Sequence, residues 1–252
     1  MKLLTAGCGI SQRSFPNWPT WVKYPTVTHS LEHVNVGGPA SGNEFICHSV
    51  IENLQGVDCA IVVWTNYLKT DIYVESQKTV DEIKTYPTRN FVLNNKGLVV
   101  DHAPAWWPSS VTSDNRIKKW LNENVYSQEY QLKKTLISIS GLQRALEMKK
   151  VDYYMFLGYD IPLQDAGAYG IDLSKFVTLE SLYDNYFTGP WKNYSTTKEY
   201  GLVPVAGWHW DFYKKKVMPI LDSKCEKKQV KIDKITSSVN TLTQKNFENG
   251  LS

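Results

Sequence analysis

An α/β domain with a central parallel sheet flanked by helices is the fold class this sequence predicts, and three stretches carry the prediction. Leu3 to Ala6 is a short apolar run that breaks at Gly7-Cys8-Gly9, the shape of a buried first strand ending at a turn. Asp58 to Trp64 is apolar and β-branched from Cys59 onward, as a strand buried on both faces is. Val151 to Leu157 repeats that character after a long amphipathic segment, so helix and strand alternate as they do around a parallel sheet. In such sheets ligands sit outside the carboxyl ends of the strands, which makes the turn after the first strand the first place to look for function.

The remaining elements follow along the chain. Arg13 to Pro25 contains three prolines and two tryptophans, Trp18 and Trp21, and reads as a loop with at most a helical turn. Val27 to Val36 alternates loosely and is a second strand ending at Gly37-Gly38-Pro39, with His29 and His33 as hydrogen-bonded or solvated strand positions. Ser41-Gly-Asn-Glu44 fits a capping box that opens a helix, whose apolar face is Phe45, Ile46, Val50, Ile51 and Leu54 and whose stop is Gly56. The stretch after Tyr67 is rich in Pro, Asn and aromatics and reads as an irregular insertion near 67–112. Ser113-Asp114 caps a helix bearing Ile117, Trp120 and Leu121, and a second amphipathic helix runs from about Ser127 to Lys150. A short helix near Leu179 to Tyr186 and a final one from Trp208 to Leu221 complete a single domain over 1–222. Residues 223–252 are polar and Lys-rich and read as a solvated tail or partner-binding arm.

Composition narrows the function classes. The chain has 252 residues, of which 42% are hydrophobic and 21% charged, enough apolar character for one large core and too much for extensive disorder. Its 28 basic and 25 acidic residues leave a net charge of +3, too even for a nucleic-acid footprint. Cys8, Cys47, Cys59 and Cys225 have no zinc-type spacing, so no metal and no cofactor is expected, and buried free thiols in a reducing, cytoplasmic setting are the reading. The opening apolar run is too short for a signal-peptide core, and no run reaches membrane-spanning length. Nine Trp and fifteen Tyr suit either a large core or a surface that grips a partner or a sugar.

Taken together, the strand into Gly7-Cys8-Gly9, Asn35-Val-Gly-Gly, the capped helix, the strand into Trp64-Thr65-Asn66 and the Pro204 segment before the last helix resemble the SGNH/GDSL hydrolase superfamily. The wording is most similar to the SGNH-like proteins of tailed phages. That resemblance implies a three-layer, flavodoxin-like fold and hydrolysis of esters or acetyl groups, with a virion setting and other virion proteins, a glycan or an acyl group as partners.

The family's chemistry needs a serine nucleophile, a histidine and aspartate pair, and an oxyanion hole. Gly9 stands where the resemblance places the serine. The family's Asp-x-x-His-Pro, aligned on Pro204, falls on Tyr200 and Val203, and neither does acid-base work on an imidazole's terms. Asn66 matches the oxyanion asparagine, with capping of a turn as the structural alternative, and Gly38 or Gly42 matches the oxyanion glycine. The expectation is a protein whose esterase machinery has decayed and which serves in binding or structure, with the Gly9 amide facing a carbonyl or anion. The alternative is an active esterase or carbohydrate deacetylase using Ser11 as nucleophile and His209 as base, with Asp211 or Glu199 nearby. Asp101-His102, in a Pro/Trp-rich loop, is a third candidate pair with a polar loop as its plain reading.

Overall fold

The computed structural model describes residues 1–8, 21–85, 91–108, 127–182, 206–228, 235–238 and 240–241. Its centre is a five-stranded sheet in the order β2-β1-β3-β8-β9, formed by β1 (Lys2–Ala6), β2 (Glu32–Asn35), β3 (Cys59–Trp64), β8 (Asp152–Leu157) and β9 (Phe176–Thr178). Every pairing in it is parallel. All six residues of β3 are buried, which explains the unbroken apolar run: a strand with helices on both sides has no face left for polar residues.

Alternation along the strands divides the core into two layers. Leu4, Ala6, Ala60, Val62, Trp64, Met155 and Leu157 face one side. There they meet α2 (Asn43–Glu52) and α4 (Gln128–Met148), which supply Phe45, Ile46, Val50, Leu136, Ile139 and Leu142. Leu3, Cys59, Ile61, Val63 and Phe156 face the other side, against Trp21, Val22 and Tyr24 and against Trp210, Phe212, Tyr213, Val217 and Leu221. These last five belong to a continuous terminal helix, α5 (Ala206–Phe212), a π-helical turn (Tyr213–Val217) and α6 (Met218–Asp222). Each fully buried aliphatic side chain in these layers contributes about 1.5–3 kcal/mol of transfer free energy, so the double-sided packing is the main source of stability.

A local signal holds at the start of the long helix. Ser127 caps α4 by accepting from the Tyr130 amide at 3.3 Å. The expected stop at Gly56 is not where α2 ends: the helix closes at Glu52 with Asn53 as its C-cap, and Gly56, with φ of +68°, serves the turn that follows, in a conformation glycine reaches without a Cβ penalty. Cys8, Cys47 and Cys59 are buried free thiols, and burial, the leading cause in each, pushes the thiols of Cys47 and Cys59 up to about 12.

Four further expectations change. The second strand is shorter, because Pro25–Thr28 forms a helical turn, α1, in which the Thr28 hydroxyl donates to the Tyr24 carbonyl at 3.0 Å. The capping box does not form: Gly42 is the N-cap and makes no side-chain cap. The insertion is not irregular. Between 71 and 108 it folds into a four-stranded antiparallel sheet in the order β4-β7-β5-β6, from β4 (Asp71–Val74), β5 (Val92–Leu93), β6 (Val99–Val100) and β7 (Ala105–Pro108). Helix α3 (Gln77–Thr85) packs on it through Val80 and Ile83. The tail, where described, is docked: the Ser30 amide donates to the Glu226 carbonyl at 3.1 Å, the Lys228 amide to the Thr28 carbonyl at 2.8 Å, and the Trp210 indole to the Thr236 hydroxyl at 3.2 Å. The predicted helix after Ser113-Asp114 lies outside the described residues, as does the second half, 183–186, of that from Leu179 to Tyr186.

Candidate functional site

Strand β1 sits between β2 and β3, so the chain leaves it in one direction for β2 and returns on the other side for β3. A crevice forms at the carboxyl ends where such a sheet changes direction. The described residues around that rim are Gly7 and Cys8 after β1, Gly37 and Gly38 after β2, and Thr65 and Asn66 after β3.

Asn43, 3% exposed, organises the rim from the first turn of α2. Its Oδ1 accepts the Thr65 amide at 2.9 Å, while its Nδ2 donates to the Thr65 carbonyl at 3.1 Å and to the Thr135 hydroxyl of α4 at 3.1 Å. One side chain therefore satisfies both backbone groups of the residue where β3 ends, groups that would be costly to bury unpaired. Ser41 Oγ, 2.9 Å from the Gly38 carbonyl and 3.4 Å from that of Gly7, ties the β1 and β2 exits together. The Thr65 hydroxyl is buried and makes no hydrogen bond among the described residues. Neither Asn43 nor Ser41 stands out in the sequence as a rim residue. The one signal is that both fall in the Ser-Gly-Asn-Glu segment assigned to capping.

The N-terminus of α2 is capped from a distance. Asp71, at the start of β4, accepts the Gly42 amide on Oδ1 at 2.8 Å and the Phe45 amide on Oδ2 at 3.0 Å. A Cβ on Gly42 would lie 2.6 Å from Asp71 Oδ2 and 2.8 Å from the Lys69 carbonyl, so glycine is what admits the carboxyl. Burial raises the Asp71 carboxyl to about 7, outweighing the two amide bonds that favour its charge; Glu44 adds to the rise and Lys69 opposes it.

The residues singled out in the sequence are placed as follows. Gly38 donates its amide to the Gly7 carbonyl at 3.1 Å, and the space of its missing side chain is taken by Leu93 and Phe45, whose atoms lie 2.8 and 3.0 Å from where a Cβ would stand. The Gly42 amide is held by Asp71. Asn66 uses its side-chain carbonyl to accept the Leu68 amide at 2.8 Å, an Asx turn at the strand exit. His209 is 2% exposed, and burial pulls its imidazole down to about 3. The terminal helix carries it away from the amino edge: thirteen residues separate it from Asp222, about 20 Å of helix, and Phe212 packs edge-on to Phe156 at 5.2 Å, near the carboxyl end of β8. Asp211 lies 3.9 Å from Lys215. Asp101 and His102 are exposed, with Asp101 3.7 Å from Lys84. Gly9, Ser11, Glu199, Tyr200 and Val203 lie outside the described residues.

A hydroxyl, imidazole and carboxylate do stand in line, at the opposite edge of the sheet. Thr28 Oγ1 is 2.8 Å from His29 Nδ1, and His29 Nε2 is 3.0 Å from Asp222 Oδ1. Tyr213 also bonds Thr28 through its hydroxyl and lies 3.3 Å from His29 Nδ1, and Lys227 holds Asp222 at 2.7 Å. Burial draws the Asp222 carboxyl upward, but the bonds from Lys227 and His29 outweigh it and hold it below the usual carboxylate range. His29 is fully buried and Thr28 is 5% exposed, so the chain of groups fastens the terminal helix and the segment after it to the strand entry and is closed to a substrate.

Among the described residues no group of His, Cys, Asp and Glu side chains is arranged to hold a metal ion, and no helix is long and apolar enough to cross a membrane. No family model, curated protein or solved structure matches the chain.

Proposed function

We propose that this chain is a non-hydrolytic binding protein on an SGNH-like frame, holding an acyl or glycan ligand in the crevice above the carboxyl ends of β1 and β3. The observation that carries this reading is the fate of the hydrogen-bond donors. An oxyanion hole needs free donors aimed at the developing charge, whereas the Gly38 amide is spent on Gly7 and the Gly42 amide on Asp71. Asn66 accepts the Leu68 amide on its side-chain carbonyl, a bond that fixes the side chain and uses none of its donors, so the reading rests on the two glycine amides. Gly9 in the serine's place supports the same reading from the sequence.

The frame is supported by the strand order. Numbered by rank along the chain, β2-β1-β3-β8-β9 is 2-1-3-4-5, the flavodoxin-like order, whose ligands sit at the switch beside the first strand. Helices cover both faces, as in the three-layer arrangement the resemblance implies. The buried Thr65 hydroxyl, without a partner among the described residues, is a polar atom at that place that a ligand would satisfy. A virion setting rests on the Gly-Cys and Trp-Thr wording of the strand exits.

One observation favours the second reading, an esterase using Ser11 and His209: the terminal helix carries His209 toward the carboxyl edge. Burial works against it, because an imidazole pulled down to about 3 holds a proton poorly at neutral pH, and a general base is most effective near the working pH. Turnover of a chromogenic acetyl ester by the wild type and by Ser11→Ala separates the two. The binding protein gives no Ser11-dependent turnover, whereas activity that disappears in Ser11→Ala overturns it.

A further inference from the structure

We infer that Asp71 is a proton-operated clasp joining the small antiparallel sheet to the N-terminus of α2, and through Asn43 to the rim above β3. Three observations build it. The carboxyl is 6% exposed and makes both of its described bonds across an element boundary, from β4 to the Gly42 and Phe45 amides. The site is shaped for it, since a side chain on Gly42 would collide with Asp71 Oδ2. The next residue, Asn43, makes the bonds to both backbone groups of Thr65, so a shift of the first turn of α2 is passed directly to the exit of β3.

The charges facing the carboxyl do not neutralise it. From α2 comes Glu44, itself 2.6 Å from Lys134 of α4, and from the loop before β4 comes Lys69, which acts at a distance and without a hydrogen bond to Asp71. From β7 the residue in register is Pro108, which carries no charge. A buried acid without a paired cation prefers to be neutral, and its ionised form prefers water. With the carboxyl raised to about 7 in the closed clasp and near the ordinary value of about 3.9 once exposed, the sign follows. The closed state is favoured in acid and is progressively disfavoured as pH rises toward neutrality. Above the closed-state value the effect levels off, because the carboxyl is then ionised in both states. This inference does not depend on whether the rim binds or hydrolyses its ligand.

The test is amide hydrogen exchange of the full chain from about pH 5 to 8.5, expressed as protection factors, in the wild type and in Asp71→Asn. Protection at Gly42, Phe45 and Thr65 is expected to fall roughly tenfold per pH unit up to neutrality and then to level off, while amides in the middle of β3 hold steady. Asp71→Asn, which keeps the shape and an accepting oxygen, removes the slope. Equal slopes in the two proteins overturn the proposal. The carboxyl-carbon NMR titration of the wild type decides the matter even if the variant does not fold: a midpoint near neutral supports the clasp, and one in the ordinary carboxylate range overturns it.

Discussion

At the amino edge of the main sheet, Thr28, His29 and Asp222 stand in hydrogen-bonding file, with Tyr213 and Lys227 closing the ends. At the carboxyl edge, where a doubly wound sheet takes its ligands, the described residues are small or amide-bearing, and their donors are largely spent on one another. The residue types that suggest catalysis thus converge where the chain is sealed, and the place suited to a ligand is built from residues that suggest none. Hydroxyl, imidazole and carboxylate in a row are equally the parts of a catalytic triad and of a buried fastening, and access decides between them. Here the fastening binds two remote segments, residues 28–29 and the end of the terminal helix with Lys227 just beyond it.

If the amino-edge file is a fastening, removing its centre costs the fold more than any change at the rim. His29→Ala is expected to destabilise by about 4 kcal/mol, because it empties a fully buried site and takes one bonding partner each from Thr28, Tyr213 and Asp222; urea unfolding measures it, and a loss under 1 kcal/mol would sink the fastening. Asn43→Ala comes next, at about 3 kcal/mol, since both backbone groups of Thr65 lose their partner. It should also raise hydrogen exchange at Thr65 while leaving the amino edge unchanged.

Asp222→Asn is smaller and shows its effect through pH. A carboxyl held below its ordinary value contributes stability that is present above the unfolded value of about 3.9 and is lost as pH falls through the folded value. The wild type should therefore lose in acid an increment that the variant never had, read as converging melting temperatures on acidification. Parallel melting curves would mean that Lys227 and His29 leave Asp222 unaffected. The smallest change is expected from Thr65→Val. Because the hydroxyl it removes is buried without a partner among the described residues, the substitution should be neutral or stabilising by up to about 1 kcal/mol in the free protein. Under the proposed function the same variant binds ligand more weakly, so a stability loss without any change in binding would count against the rim as the site.

Periodicity served well where elements are long. The runs at Leu3–Ala6, Cys59–Trp64 and Asp152–Leu157 became central strands, and the amphipathic stretch after Ser127 became α4 with that serine as its cap. The small sheet was illegible because its strands have only two to four residues, too few for an alternation to register. What holds it is a cross-strand aromatic contact, Tyr73 on Trp106 at 5.0 Å, and the packing of Val80 and Ile83 of α3. At the rim, Gly38, Gly42 and Asn66 were visible as candidates, and their bonding partners were not.

By itself, then, the amino-acid sequence determined the layering: a strand apolar on both faces has to be covered twice, and helices with one apolar stripe supply the cover. Only the tertiary structure decided the chemistry of the edges. Ser41 and Glu44 satisfy the local capping rule, yet a carboxyl 26 residues beyond Phe45 takes the amides instead, because the fold delivers Asp71 to them already desolvated and in place. His29 reads as an ordinary strand residue until the terminal helix brings Asp222 to it across 193 positions of chain. A contact of that separation depends on two elements docking on one sheet edge, and no local pattern encodes where that docking ends.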